Sequence, residues 1–197
     1  MAIGRRTLLI GPLAAAAGCT VAYRTGVIRK DLLTDAQQVI ADTKINHGDM
    51  TIQCSADRAD TAYEIGQPIT LSVTVSKDTH VAILRTLAKG NTTLLFPNRS
   101  HPKSDIRANE TLTVPGTGGR VTVAVDKPGV VLFEFIASTD GDSWLFKRAA
   151  DEGSDFADLG GATRAIAKDI VDSLKLGASH DTAAIYLTVR IGSGPLF

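Results

Sequence analysis

The densest chemistry in this sequence lies in Thr139-Asp140-Gly141-Asp142-Ser143-Trp144. Two carboxylates at alternate positions around a glycine resemble part of a calcium loop, where oxygen ligands at alternate positions converge on one cation. The further oxygen ligands and the distal glutamate of such a loop are missing, so turn formation is the stronger reading. A hydrolytic site using Asp140, Asp142, Ser143 or His101 would require the fold to bring them into one pocket. The four histidines, His47, His80, His101 and His180, show no i, i+4 pair, and there is no Cys-x-x-Cys; zinc-type spacing is therefore absent. His101 and Asp105 share a loop in which solvation is the plainer reading than a ligand pair. No Gly-x-Ser-x-Gly, P-loop or dinucleotide fingerprint occurs. The expectation is a non-enzyme: no catalytic residue, no metal and no cofactor.

What remains are polar loops. Asn98, Arg99, Ser100, His101 and Lys103 follow one strand; Asp140, Asp142 and Trp144, the only tryptophan, follow another. Loops on a rigid scaffold carry recognition, and a tryptophan left exposed is an efficient contact anchor. Asn98, Arg99, His101, Lys103, Asp140, Asp142 and Trp144 are thus the candidate binding residues. The acidic run Asp151, Glu152, Asp155 and Asp158 is expected to complement the N-terminus of a following helix, with docking of a basic partner as the alternative.

The elements that must hold these loops are mostly strands. Ile69, Leu71, Val73 and Val75 alternate with Thr70, Ser72 and Thr74, one face to a core and one to solvent. HVAILRTL and TTLLFP flank Lys89-Gly90-Asn91, which has hairpin chemistry. ETLTVP comes next, then a Gly116–Gly119 turn and RVTVAVD, with Val121, Val123 and Val125 on one face. VVLFEFIAS, almost wholly apolar, reads as a central strand covered on both sides. AAIYLTVRIG sets Ile185, Leu187, Val189 and Ile191 opposite Tyr186, Thr188 and Arg190, and is expected to complete the sheet. Helices are predicted at about 30–43 and, with Ala165, Ile166, Ile170, Val171 and Leu174 on one face and Gly177 as the stop, at about 158–176. Many short strands broken by Gly and Pro turns give an antiparallel β-sandwich, immunoglobulin-like or related, with one helix inserted before the last strand and one near the N-terminus. Cys54, in MTIQCSAD, is expected to be buried as a small apolar side chain.

The N-terminus supplies an address. Arg5 and Arg6 precede an uncharged run of about eleven residues, too short for a span of roughly twenty, and a small-residue exit follows, as in a removable signal. Ala16-Ala17-Gly18-Cys19 resembles a bacterial lipobox, although Ala16 stands where leucine is usual. The resemblance implies cleavage after residue 18 and acylation of Cys19, for instance by palmitate. Several acyl chains hold a membrane more firmly than one. Arg5-Arg6-Thr7-Leu8-Leu9 is also similar to a twin-arginine signal. Thr20, rather than aspartate, follows the cysteine, which favours the periplasmic face of the outer membrane. The expected organisation is a signal at 1–18, an anchored linker with the first helix at 19–47 and the sandwich at 48–197. Cleavage removes two of the 21 basic residues, Arg5 and Arg6, and none of the 21 acidic ones, leaving a net charge of about minus two. That balance argues against nucleic acid as a partner. With Cys19 acylated, Cys54 is left alone and no disulfide framework is possible.

Residues about 58–138 resemble the domain of unknown function 4384 family. Gly66, Asp78, Gly90, Leu95-Phe96-Pro97-Asn98, Ile106, Thr113-Val114-Pro115, Pro128-Gly129 and Ile136-Ala137-Ser138 carry the resemblance. Asn109 stands where glycine is frequent. The resemblance implies a sandwich-like domain of bacterial envelope proteins and no catalytic residues. Together these features lead to the expectation of a lipid-tethered binding or scaffolding module with a protein partner in the cell envelope. A structural part of an envelope or secretion machine is the first alternative, and an unrecognised hydrolase the second.

Overall fold

A computed structural model describes residues 28–115, 128–176 and 179–192 of the chain. In chain order its strands and helices are α1 (Asp35–Ala41), β1 (Ile52–Ala56), β2 (Ala62–Tyr63), β3 (Leu71–Val75), β4 (Thr79–Thr86), β5 (Thr92–Phe96), β6 (Asp105–Ile106), β7 (Thr111–Val114), β8 (Gly129–Ser138), α2 (Trp144–Lys147), β9 (Ala157–Asp158), α3 (Thr163–Ser173) and β10 (Thr182–Ile191). They form two sheets and a helical layer. The smaller sheet runs β1-β3-β7; the larger runs β2-β10-β8-β4-β5-β9, with β6 also paired to β4. Pairing is antiparallel throughout except between β2 and β10. The protein is therefore mainly β and sandwich-like, as the strand pattern predicts. The expected strand over Val121–Val125 and its Gly116–Gly119 turn lie outside the described residues.

The core follows from side-chain alternation. Leu71, Val73 and Val75 of β3 turn inward, while Ser72 and Thr74 stay half-buried. Opposite them, β8 sends Val131, Phe133, Phe135 and Ala137 into the same inter-sheet core, joined by Leu187, Val189 and Ile191 of β10. Each such large side chain contributes roughly 1.5–3 kcal/mol of burial. The Cys54 thiol is buried there too.

The other face of the large sheet is covered by helices, which is why β8 is buried along nearly its whole length. Val130 and Leu132 meet Ile40 of α1 and Ala167 of α3; Ile136 meets Ile166 and Ile170 of α3. Glu134 belongs to this same face by alternation and lies directly opposite Leu84 and Tyr186 in register. It is 1% exposed, and neither carboxyl oxygen has a hydrogen-bond partner. The Tyr186 hydroxyl donates instead to the carbonyls of Ile40 and Thr43. Burial pushes the Glu134 carboxyl up to about 8.

The first predicted helix, 30–43, divides in two. Lys30–Leu32 is a 3-10 turn, and the α-helix begins only at Asp35. Thr34 is its N-cap: Thr34 Oγ1 accepts from Gln37 N–H, and Gln37 Oε1 accepts from Thr34 N–H, a reciprocal capping box. Gln37 is fully buried and donates its amide to the carbonyls of Thr86 and Val130, pinning α1 across the sheet.

The second predicted helix, 158–176, also starts later than expected. Ala157 and Asp158 pair with β5, and Gly160 and Gly161 take positive φ (59° and 68°), which a right-handed helix cannot contain. The helix therefore starts at Thr163 and its first turn holds no acid. The expected stop at Gly177 lies outside the described residues; Leu174 is the C-cap and Lys175 takes the left-handed conformation. The hairpin at Lys89-Gly90-Asn91 forms as read, with Gly90 at φ 89°. A Cβ on Gly90 would lie 2.5 Å from Thr163 Oγ1, so glycine also lets α3 approach the turn.

Candidate functional site

The two loops singled out by their polarity are organised mostly by their own side chains. β5 ends at Phe96. Asn98 is buried, donates its amide to Leu95 O and accepts from His101 N–H, both at 2.9 Å. It shapes the turn, and Arg99, His101 and Lys103 are left exposed. Arg99 docks this loop on its neighbour: its backbone N–H donates to Asp155 O and its guanidinium to Asp151 O at 3.0 Å. No hydrogen bond among the described residues joins His101 to Asp105. Asn109, where the family resemblance favours glycine, has φ 63°; asparagine tolerates that region better than most side chains.

After β8, Ser138 Oγ accepts from Asp140 N–H, and Asp140 Oδ1 accepts from Asp142 N–H at 3.0 Å. The paired aspartates thus form a turn, as their spacing favours. Asp142 also pairs with Lys147 at 3.0 Å, and the ammonium holds its carboxyl below the usual carboxylate range. Ser143 is buried; its Oγ caps Leu145 N–H and contacts Ser173 Oγ at 2.7 Å, clipping α2 to the end of α3. No hydrogen bond ties Asp140, Asp142 or Ser143 to His101. Among the described residues no group of three or more His, Cys, Asp or Glu side chains is placed to hold a metal ion.

A histidine that the sequence reading left aside supports this loop. His80 Nδ1 lies 3.1 Å from Ser104 Oγ, and the ring packs 5.9 Å from that of Phe146. Gly141 lies against the imidazole so closely that a Cβ would come 2.5 Å from Nε2.

Leu145 and Phe146 of α2 point into the core, which turns Trp144 outward, half-buried. There it faces α3 across a half-open cavity of about 210 Å³ lined by Trp144, Arg148, Leu159, Ile166 and Asp169. Arg148 contacts Asp151 Oδ1 and the carbonyl of Asp158, each at 3.4 Å. Asp151 in turn accepts from Asp158 N–H at 2.7 Å, and Asp158 accepts from Gly160 N–H. The acidic run therefore closes a loop; it does not cap α3, which begins five residues beyond Asp158. A wider cleft of about 350 Å³ lies between the β4–β5 turn and the start of α3, with Lys89 and Asp158 both in its wall.

Residues 62–140 match the family described as a domain of unknown function (DUF4384). The matched segment runs from β2 to the loop after β8, close to the span read from the sequence. Trp144, α3 and the whole cavity between them lie beyond it. No curated protein matches the chain.

Proposed function

We propose that this chain is a non-catalytic binding module of the bacterial cell envelope, tethered by lipid at Cys19 to the periplasmic face of the outer membrane. The observation that carries the binding role is the Trp144 cavity. There a half-buried tryptophan, Leu159, and Ile166 and Asp169 of α3 form a small recess beside the sandwich, beyond the DUF4384 segment. Asp140, Asp142 and Ser143 are already engaged in turn, ion-pair and cap contacts, and none of them bonds His101, which supports a contact role over a hydrolytic one.

Lipid at Cys19 would confine the domain close to one membrane, so that it would meet partners on that surface at raised effective concentration.

Mass measurement of the mature N-terminal peptide tests the tether. The expected result is an acylated Cys19 and release of Cys19→Ala from the membrane fraction. An unmodified thiol with residues 1–18 retained overturns the reading. Crosslinking in native membranes tests the module: a dissociable partner is expected, whereas a fixed-stoichiometry assembly would favour the structural-component alternative.

A further inference from the structure

The cavity between Trp144 and α3 has a chemistry that selects its occupant. At about 210 Å³ it is smaller than the roughly 300–1,000 Å³ typical of cofactor and small-molecule pockets, and it suits a single long side chain. Leu159 and Ile166 offer an apolar wall, Trp144 a ring, Asp169 a carboxylate, and Arg148 a guanidinium that is already paired with Asp151.

The charges around it are unbalanced in availability. Of the two charged side chains in its wall, Arg148 already pairs with Asp151; beyond the wall, Lys147 pairs with Asp142 and Lys168 with Asp172. Asp169 on the wall, and Glu152 and Asp155 on the adjoining loop, form no salt bridge among the described residues and are exposed. An anionic ligand would find no uncommitted cation in the wall. A purely apolar side chain would fill the recess while desolvating Asp169 without pairing it, which is unfavourable.

We propose that this recess receives a basic side chain, lysine or arginine, presented by a protein partner. The methylene stem packs on Leu159 and Ile166, as long basic side chains do on apolar surface. The cationic head lies between the Trp144 ring and the Asp169 carboxylate, combining cation–π attraction with an ion pair. This rests on the binding-module reading and adds the class of residue bound.

The only tryptophan of the chain is in the recess, so its intrinsic fluorescence reports occupancy directly. The full mature chain in detergent is titrated with trilysine, triarginine, trinorleucine and triglutamate. Saturable responses to trilysine and triarginine are expected, weakened by salt and weakened by about two- to fivefold in Asp169→Asn. Asp169 is exposed, so that variant keeps the fold, and its thermal melt verifies this. An equal response to trinorleucine, a response to triglutamate, no response to any peptide, or an unchanged Asp169→Asn overturns the proposal. Membrane crosslinking of Asp169→Lys separates the two levels. If wild type captures a partner and Asp169→Lys captures it equally, the recess assignment falls and the module reading stands. If wild type captures none, the module reading falls, whatever the peptides do.

Discussion

Replacing Glu134 by glutamine should change how stability depends on pH, and the structure gives both the sign and a ceiling for the size. The carboxyl is fully buried in the middle of β8, without a hydrogen-bond partner, and burial raises it from 4.5 to about 8. Below pH 4.5 it is protonated in both folded and unfolded chains and contributes no pH dependence. Between 4.5 and about 8 the unfolded chain has released the proton while the folded chain still holds it. The folded state then binds more protons, so stability falls as pH rises, by up to about 1.4 kcal/mol per pH unit. Over that interval the loss approaches a ceiling of about 5 kcal/mol, comparable with the ~5–15 kcal/mol that holds typical domains together. Above pH 8 the penalty is constant. The assay is urea unfolding of wild type and Glu134→Gln at half-unit steps from pH 5 to pH 9. The buried amide carries a cost of its own, but one independent of pH. The readout is therefore the difference between the two curves, which should shift by several kcal/mol in favour of Glu134→Gln on going from pH 5 to pH 8. A difference that stays constant across the range would refute the reasoning, because the folded carboxyl would then titrate like an exposed one.

Gln37→Leu should cost about 2–5 kcal/mol, since it leaves the buried carbonyls of Thr86 and Val130 without their donor; denaturant unfolding measures it, and amides of α1 should exchange faster than those of β8. Gly141→Ala should cost about 1–3 kcal/mol by overpacking, because its Cβ would meet three imidazole atoms of His80 at 2.5–2.8 Å. His80→Ala in the same chain should recover part of that loss, and a thermal double-mutant cycle gives the coupling.

What the sequence disclosed was local, and what it hid was tertiary. The alternation in β3 and β10 and the apolar run of β8 could be read directly, because a two-residue period needs only neighbours. Strands β2, β6 and β9 are two residues each and exist only because a partner strand lies beside them. The start of α1 was visible in Thr34-x-x-Gln37, a capping signature that apolar spacing alone overlooks. The predicted helix begins too early, at 158, because pairing of Ala157 and Asp158 with β5 and two glycines at positive φ keep α3 from starting before Thr163. Glu134 also left a signal: one acid inside an otherwise apolar, doubly covered strand has nowhere to go but the interior. Trp144 could be named as a contact residue, yet Leu159, Ile166 and Asp169 could not be joined to it, since α3 begins nineteen positions further on and only the fold brings it alongside.

The helical layer is held to the large sheet by apolar packing and by a few polar contacts, each joining segments far apart in the chain. Gln37 reaches β4 and β8, Tyr186 reaches the end of α1, Thr163 reaches Gly90 O at 3.3 Å, and Ser143 reaches Ser173. Apolar contact alone would let α3 slide, because it has little directional preference; the hydroxyl contacts at its two ends fix where it stops. That placement sets the distance from Trp144 to Ile166 and Asp169, and so the width of the recess. The DUF4384 segment supplies the sheet against which α3 packs, while the recess itself depends on residues that follow that segment. Its chemistry is consequently a property of this chain's own C-terminal residues rather than of the matched domain.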